Sequence, residues 1–215
     1  MKEEIQIGKT HLKILLMSRL IKKHFKKLFT SDSEVLRTVN GDHILTIFKN
    51  GRSSCCEYAQ ANGLNLITMQ QGNNTKTISL IHIFLRDPMQ RFVSGVHTYS
   101  VFNEINIDKK FLHSVESFKI VDKHFAPQIF YLIHLFKFYK GKVAIHPLSD
   151  LKNFITNHKK PHPYKKITQN QKKVICSIQY EKYIEDDQKL IKNYIGKTID
   201  LKNIVKEFKH VLSAS

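Results

Sequence analysis

The chain has 215 residues, 41% of them hydrophobic and 25% charged. That composition suits one globular domain; a disordered chain is less apolar, and a bilayer-spanning one is less often broken by charge. Its 35 lysines and arginines outnumber 18 acidic residues, for a formal charge of +17, so the surface attracts anions and a polyanionic ligand is expected. The longest apolar stretch near the N-terminus, Ile14 to Met17, is far shorter than a signal-peptide core or a membrane helix, and a cytoplasmic protein with no membrane span is expected. Cys55, Cys56 and Cys176 are odd in number and two of them adjoin. This fits neither a disulfide framework nor the paired spacing of a structural zinc site.

Residues 9 to 29 read as a basic helix, with Ile14, Met17, Ile21, Phe25 and Leu28 at helical spacing, so residues 1–40 are expected to form a helical N-terminal segment packed on the domain edge. From His43, the run Ile44-Leu45-Thr46-Ile47-Phe48 has the apolar, partly β-branched character of a buried parallel strand. Lys49 to Ser54 breaks it, and Cys56, Tyr58 and Ala59 continue as a helix ending near Gly63, which accommodates a left-handed residue. Leu64 to Met69 reads as a second strand, Gly72-Asn73-Asn74 as a turn and Thr77 to Leu85 as a third strand. At Arg86-Asp87-Pro88 the strand stops; Asp87 can cap a helix that begins with proline and runs to about Phe102. Lys142 to Ile145 is a fourth strand and Leu148 to Ile155 a helix. A basic loop from His158 to Lys166 then leads to a helix from Tyr180 to Tyr194 and a segment capped by Asp200, with 195–215 read as a C-terminal helix. The alternation predicts a single α/β domain over 1–215, its central, mostly parallel sheet flanked by helices.

Both strand-to-helix junctions, at 49–54 and at 86–94, sit where open α/β sheets bind ligands, and each offers free backbone donors at a helix N-terminus. In the first, Lys49 supplies an ammonium, Gly51 lets the backbone approach closely, and Ser53 and Ser54 add hydroxyls. In the second, Arg86 leaves the strand end and Ser94 lies about two turns into the helix, so both can hold one tetrahedral anion. Taken singly, either junction also reads as a plain turn and helix start. The Walker order G-x-x-x-x-G-K-[ST] is absent, since Lys49 precedes Gly51, which disfavours an ordinary ATPase or GTPase.

Together, Phe48-Lys49-Asn50-Gly51-Arg52-Ser53-Ser54 and Phe84 to Gly95 resemble the two phosphosulfate-binding motifs of the sulfotransferase family. Arg86-Asp87-Pro88, Arg91, Ser94 and Gly95 are similar, residue for residue, to the R-D-P-x-x-R-x-x-S-G segment. Asp122-Lys123-His124-Phe125-Ala126-Pro127-Gln128 resembles the D-x-H-W-x-P-Q segment of the carbohydrate sulfotransferases, and Tyr183-Ile184-Glu185-Asp186-Asp187 a weaker C-terminal signature. The likeness spans about 43–194. It departs at Phe48, where the family usually has proline, at Arg52, where a small residue is usual, and at Phe125, which replaces tryptophan.

The resemblance implies a P-loop-like nucleotide-binding fold and transfer of a sulfuryl group from 3′-phosphoadenosine 5′-phosphosulfate (PAPS) to a hydroxyl or amine, leaving 3′,5′-bisphosphoadenosine (PAP) and using no metal. It assigns the 5′-phosphosulfate to Lys49, Asn50, Gly51, Arg52, Ser53 and Ser54, with Lys49 catalytic, and the 3′-phosphate to Arg86 and Ser94. The expected acceptor is a carbohydrate or another hydroxyl compound, acidic acceptors included. His124 is the first candidate for the general base, with Asp122 to orient it; Glu57, Glu104, Glu116 and His97 are weaker ones. Arg91 is expected to be structural. The alternatives are a nucleotide kinase-like phosphotransferase and a non-catalytic basic nucleic-acid-binding protein; spread lysines bind phosphates without reading sequence, though nucleic acid is the less favoured partner.

Overall fold

The computed structural model describes residues 28, 33–69, 77–117, 119–156, 167–177 and 181–209. The expected helix at 9–29, apart from Leu28, the turn at 72–74 and the basic loop at 158–166 lie outside the described residues. Among the described residues no helix is long and apolar enough to cross a membrane.

The fold is α/β. Its elements are β1 (Glu34–Arg37), β2 (His43–Leu45), α1 (Arg52–Ala61), β3 (Leu66–Thr68), β4 (Leu80–Leu85), α2 (Pro88–Phe102), α3 (Lys109–Glu116), α4 (Gln128–Leu135) and β5 (Lys142–Pro147). A 3₁₀ helix (Leu148–Asn153), α5 (Gln169–Ile175), α6 (Glu181–Tyr194), β6 (Thr198–Asp200) and α7 (Leu201–Glu207) complete it. The six strands form one sheet in the order β3-β1-β2-β4-β5-β6.

The sheet is mixed rather than mostly parallel. β2–β4 and β4–β5 pair in parallel, whereas β1–β2, β1–β3 and β5–β6 are antiparallel. One reason lies in residues 34–37, expected to be helical: they form a strand and turn back through Gly41, at φ 89°, to pair with His43–Leu45 as a hairpin. The other lies in 195–215, expected as one helix: Thr198–Asp200 first adds a short antiparallel edge strand beside β5. Of the remaining expected elements, β3 and β4 are shorter than expected, β5 runs on to Pro147 and α2 ends at Phe102 as expected. The strand expected through Phe48 stops at Leu45, and the helix expected over Leu148 to Ile155 is a 3₁₀ helix over Leu148–Asn153.

Alternation along β4 distributes its side chains to two faces. Ile81, Ile83 and Leu85 join a core with Ile129, Leu132 and Leu190 from α4 and α6. Phe84 points the other way and packs with Tyr58 of α1 and Leu151 of the 3₁₀ helix. Helices therefore cover both faces, and each fully buried aliphatic side chain contributes about 1.5–3 kcal/mol. A further cluster joins α2, α3, α5 and α6 through Phe92, Val96, Phe111, Ile175 and Ile184.

Two histidines stand on the Phe84 face of the sheet. His82 Nδ1 lies 3.0 Å from His146 Nε2, and the rings stack at 5.2 Å. Burial holds both pKa values below the ordinary 6.5, for His82 with the help of its His146 neighbour and against the pull of Asp42. A lowered histidine pKa stabilises the fold fully above the unfolded value of about 6.5 and loses that contribution as acid protonates the unfolded chain first. The urea midpoint is therefore expected to fall between about pH 7 and pH 5, and to fall less in His146→Gln; equal pH slopes for the two proteins would refute this origin.

Candidate functional site

The winding of the chain places a crevice between two loops. From β2 it moves through α1 to β3, on one side, and then crosses to β4, on the other side of β2. Strand order reverses there, and the loops leaving the carboxyl ends of β2 and β4 lie side by side, the arrangement in which open α/β sheets hold ligands. These are the 49–54 and 86–94 junctions.

The first loop has a backbone that few residues tolerate. Lys49 takes φ 65° and Gly51 φ 84°, both left-handed. For lysine this costs on the order of 1–3 kcal/mol; at Gly51 any Cβ would also overlap the Leu151 side chain. Cys55 N–H donates to Gly51 O at 3.0 Å as the first bond of α1, so the amides of residues 52–54 have no acceptor within their helix and form a positive end.

Four buried side chains hold the loops together. Asn50 Nδ2 donates to Phe84 O at 2.9 Å and to Gln128 Oε1. Gln128 is 0% exposed; its Oε1 also accepts from Arg86 N–H at 3.0 Å, and its Nε2 donates to Arg86 O at 3.0 Å. Arg91, 1% exposed, donates from Nε to Phe48 O at 3.1 Å, from Nη2 to Lys123 O at 3.2 Å and from Nη1 to Ala126 O. Asp187 accepts from the amides of Gln128 at 2.7 Å and Ile129 at 2.9 Å, closing the N-terminus of α4. Burial pushes the Asp187 carboxyl up to about 6, with Arg91 and the two amides pulling the other way. Gly95 lets α2 pack on the 122–126 segment, since a Cβ would overlap His124 O.

A cavity of about 480 Å³ opens beside these loops. Its wall gathers Lys49, Arg86 and Ser94, and adds His97, Thr98 and Lys172. Burial lowers the pKa of Lys49 and then Arg86 and Arg91 lower it further; burial and Arg91 act likewise on Arg86, against Asp87. His97 is lowered by burial and by Lys49. Among the described residues the wall carries no carboxylate, so its charged side chains are all basic, with Asp87 acting on Arg86 from beside the wall. Such a wall favours an anion.

Other expected site residues lie elsewhere. Arg52 turns to Glu34, with Nη2 2.7 Å from Oε2, and stacks over Phe48 at 4.8 Å. Asn50 faces inward as a brace. Ser53 is exposed and Ser54 half-buried at the start of α1, beside the cavity wall in sequence but not on it. His124 is also off the wall: its Nδ1 lies 2.5 Å from Asp122 Oδ1, and its ring packs between Phe48 at 5.1 Å and Phe102 at 5.8 Å. Burial raises the Asp122 carboxyl, but hydrogen bonds from the His124 side chain and backbone outweigh it and leave the pKa below the usual range. Glu57, Glu104 and Glu116 are off the wall too. Burial pushes the Cys55 thiol up to about 12, an unreactive state. Among the described residues no group of three His, Cys, Asp or Glu is placed to hold a metal ion.

His97, expected as a weaker base candidate, is on the wall, and Thr98 was within reach of the sequence: with Ser94 they stand at i, i+3 and i+4 on one helix face. Lys172 carries no such signal, because α5 reaches the cavity only through tertiary packing. No protein-family model, curated protein or solved structure matches this chain.

Removing Gln128 tests the brace. Gln128→Leu keeps the bulk but strands one Asn50 Nδ2 donor, which keeps its bond to Phe84 O, and the backbone N–H and C=O of Arg86, with an expected loss of on the order of 3 kcal/mol in urea unfolding. Asp187→Ala, which strands two buried amides, is expected to cost about 2–4 kcal/mol. Losses below about 0.5 kcal/mol would show that these contacts do not hold the loops.

Proposed function

We propose that the protein is a PAPS-dependent sulfotransferase with a P-loop-like nucleotide site. The observation that carries this reading is the meeting of Lys49, Arg86 and Ser94 on one wall free of carboxylates among the described residues. Their motifs lie on different strands, and a ligand charged at both ends of its ribose needs both. The donor fits the residues present: 480 Å³ falls within the range of small-ligand pockets, and the cations are half-buried.

In this reading the α1 N-terminus and Lys49 hold the 5′-phosphosulfate, and Arg86 with the Ser94 hydroxyl holds the 3′-phosphate. PAPS supplies an activated sulfuryl group. Lys49 stabilises the charge that grows on the leaving 5′-phosphate oxygen, the kind of fixed-charge catalysis that contributes about 10²–10³ in rate per donor. Alignment and charge suffice for such a transfer without a metal, as in the related phosphoryl case. The acceptor is a hydroxyl compound of carbohydrate type, and Lys172 on the wall suits an acidic one.

Thermal unfolding with PAP, Mg²⁺–ATP and short DNA separates this from the kinase-like and nucleic-acid readings. At about 100 times its Kd, PAP is expected to raise Tm by about 5–10 °C, with no rise for ATP or DNA and none for PAP in Arg86→Ala. An equal rise with ATP would discard the reading. Lys49→Met is expected to weaken PAP binding and, at saturating PAPS, to lose about 10²-fold or more in sulfate transfer; near-normal transfer at saturation would remove Lys49 from catalysis.

A further inference from the structure

Sulfuryl transfer to a hydroxyl releases a proton, and His124 lies off the cavity wall with Nδ1 held by Asp122. We propose that His97 is the catalytic base that takes this proton from the acceptor hydroxyl, an inference that rests on the sulfotransferase reading.

His97 lies one helical turn beyond Ser94, and it lines the same wall as Lys49, the group assigned to the leaving oxygen. The charged groups on that wall are Lys49 from the β2 loop, Arg86 from the end of β4 and Lys172 from α5, all cations. Ser94, Thr98 and Gln90 are its other polar side chains, and Thr98 Oγ1 already donates to Ser94 O at 2.9 Å. His97 is therefore the one wall residue, among those described, whose neutral form is a base near pH 7. No hydrogen bond to its ring nitrogens occurs among the described residues, so its lone pair is not committed there to a protein donor. Burial and the Lys49 charge keep the imidazole neutral by lowering its pKa. In the step, the acceptor oxygen forms a bond to sulfur and the bond from sulfur to the bridging oxygen breaks. The bridging oxygen leaves as the 5′-phosphate of PAP, and the acceptor proton passes to His97 as imidazolium. With water as acceptor the products are PAP, the proton on His97 and hydrogensulfate, which ionises to sulfate and a second proton in water.

The test uses the full chain, PAP, and PAPS with water as the acceptor. NMR titration of the free protein is expected to place the His97 pKa below 6.5, and Lys49→Met to raise it. His97→Asn is expected to change PAP affinity less than about threefold, to lower PAPS hydrolysis by about 10²-fold or more, and to flatten its pH dependence. In His97→Ala, free imidazole is expected to restore hydrolysis, and circular dichroism verifies that both variants fold. The assignment is overturned if His97→Asn keeps more than about a third of the rate, if imidazole restores nothing, if the His97 pKa ignores Lys49, if His124→Asn alone flattens the profile, or if wild type binds PAP without accelerating PAPS loss. Failure of wild type to bind PAP at all would instead sink the donor reading beneath it.

Discussion

One buried amide fixes the distance between the two loops that build the site. Gln128 bonds both polar groups of the Arg86 peptide and accepts from Asn50, which in turn donates to Phe84 O. Loop β2–α1 and loop β4–α2 thus become one rigid body, although 34 residues separate Asn50 from Phe84. Such a network stabilises only when it is complete, because each buried polar group left alone costs about 1–3 kcal/mol. Asn50 Oδ1 is the buried side-chain polar atom without a partner among the described residues, which puts the least satisfied point of the brace directly under the cation-bearing loop. Asp187 and Arg91 extend the brace outward, one by capping α4 and the other by tying Phe48 to residues 123–126.

This rigidity has an electrostatic consequence. Lys49, Arg86 and Lys172 share a wall with no acidic side chain among the described residues; burial works against the charged forms of the first two, with repulsion from Arg86 and Arg91 on Lys49 and from Arg91 on Arg86. The fold bears that cost, and the left-handed φ of Lys49 adds to it. Local strain and crowded like charge mark places where stability is given up for binding. An anion on the wall relieves the repulsion, so occupancy and stability are coupled.

Much of this frame was legible from local pattern. The second junction appears residue for residue: Asp87 accepts from Gln90 N–H at 2.8 Å, Pro88 opens α2, and the helix ends at Phe102. Short apolar runs gave β2, β4 and β5, because buried central strands need little else. The hairpin strand Glu34–Arg37 was not legible: four residues with two buried positions carry too little periodicity to outweigh the basic segment before them. The mixed sheet followed from that omission and from the three-residue strand β6. The sequence singles out Lys49 and Arg86 beyond strand ends and Ser94 two turns into the helix, and the three line one wall. The inward roles of Asn50 and Arg52 were not legible, since a polar residue in a turn reads alike whether it faces a ligand, a neighbouring strand or a buried glutamine. Partner residues distant in sequence, Gln128 and Glu34, decide those orientations.

In the sulfotransferase reading, a single ligand is gripped at both ends of its ribose by the two loops. Isothermal titration of PAP against adenosine 5′-monophosphate and adenosine 3′-monophosphate measures that double grip directly. With charge-assisted hydrogen bonds at each end, PAP is expected to bind about 10²-fold or more tightly than either monophosphate. Equal affinities for PAP and one monophosphate would mean that only one loop meets the ligand.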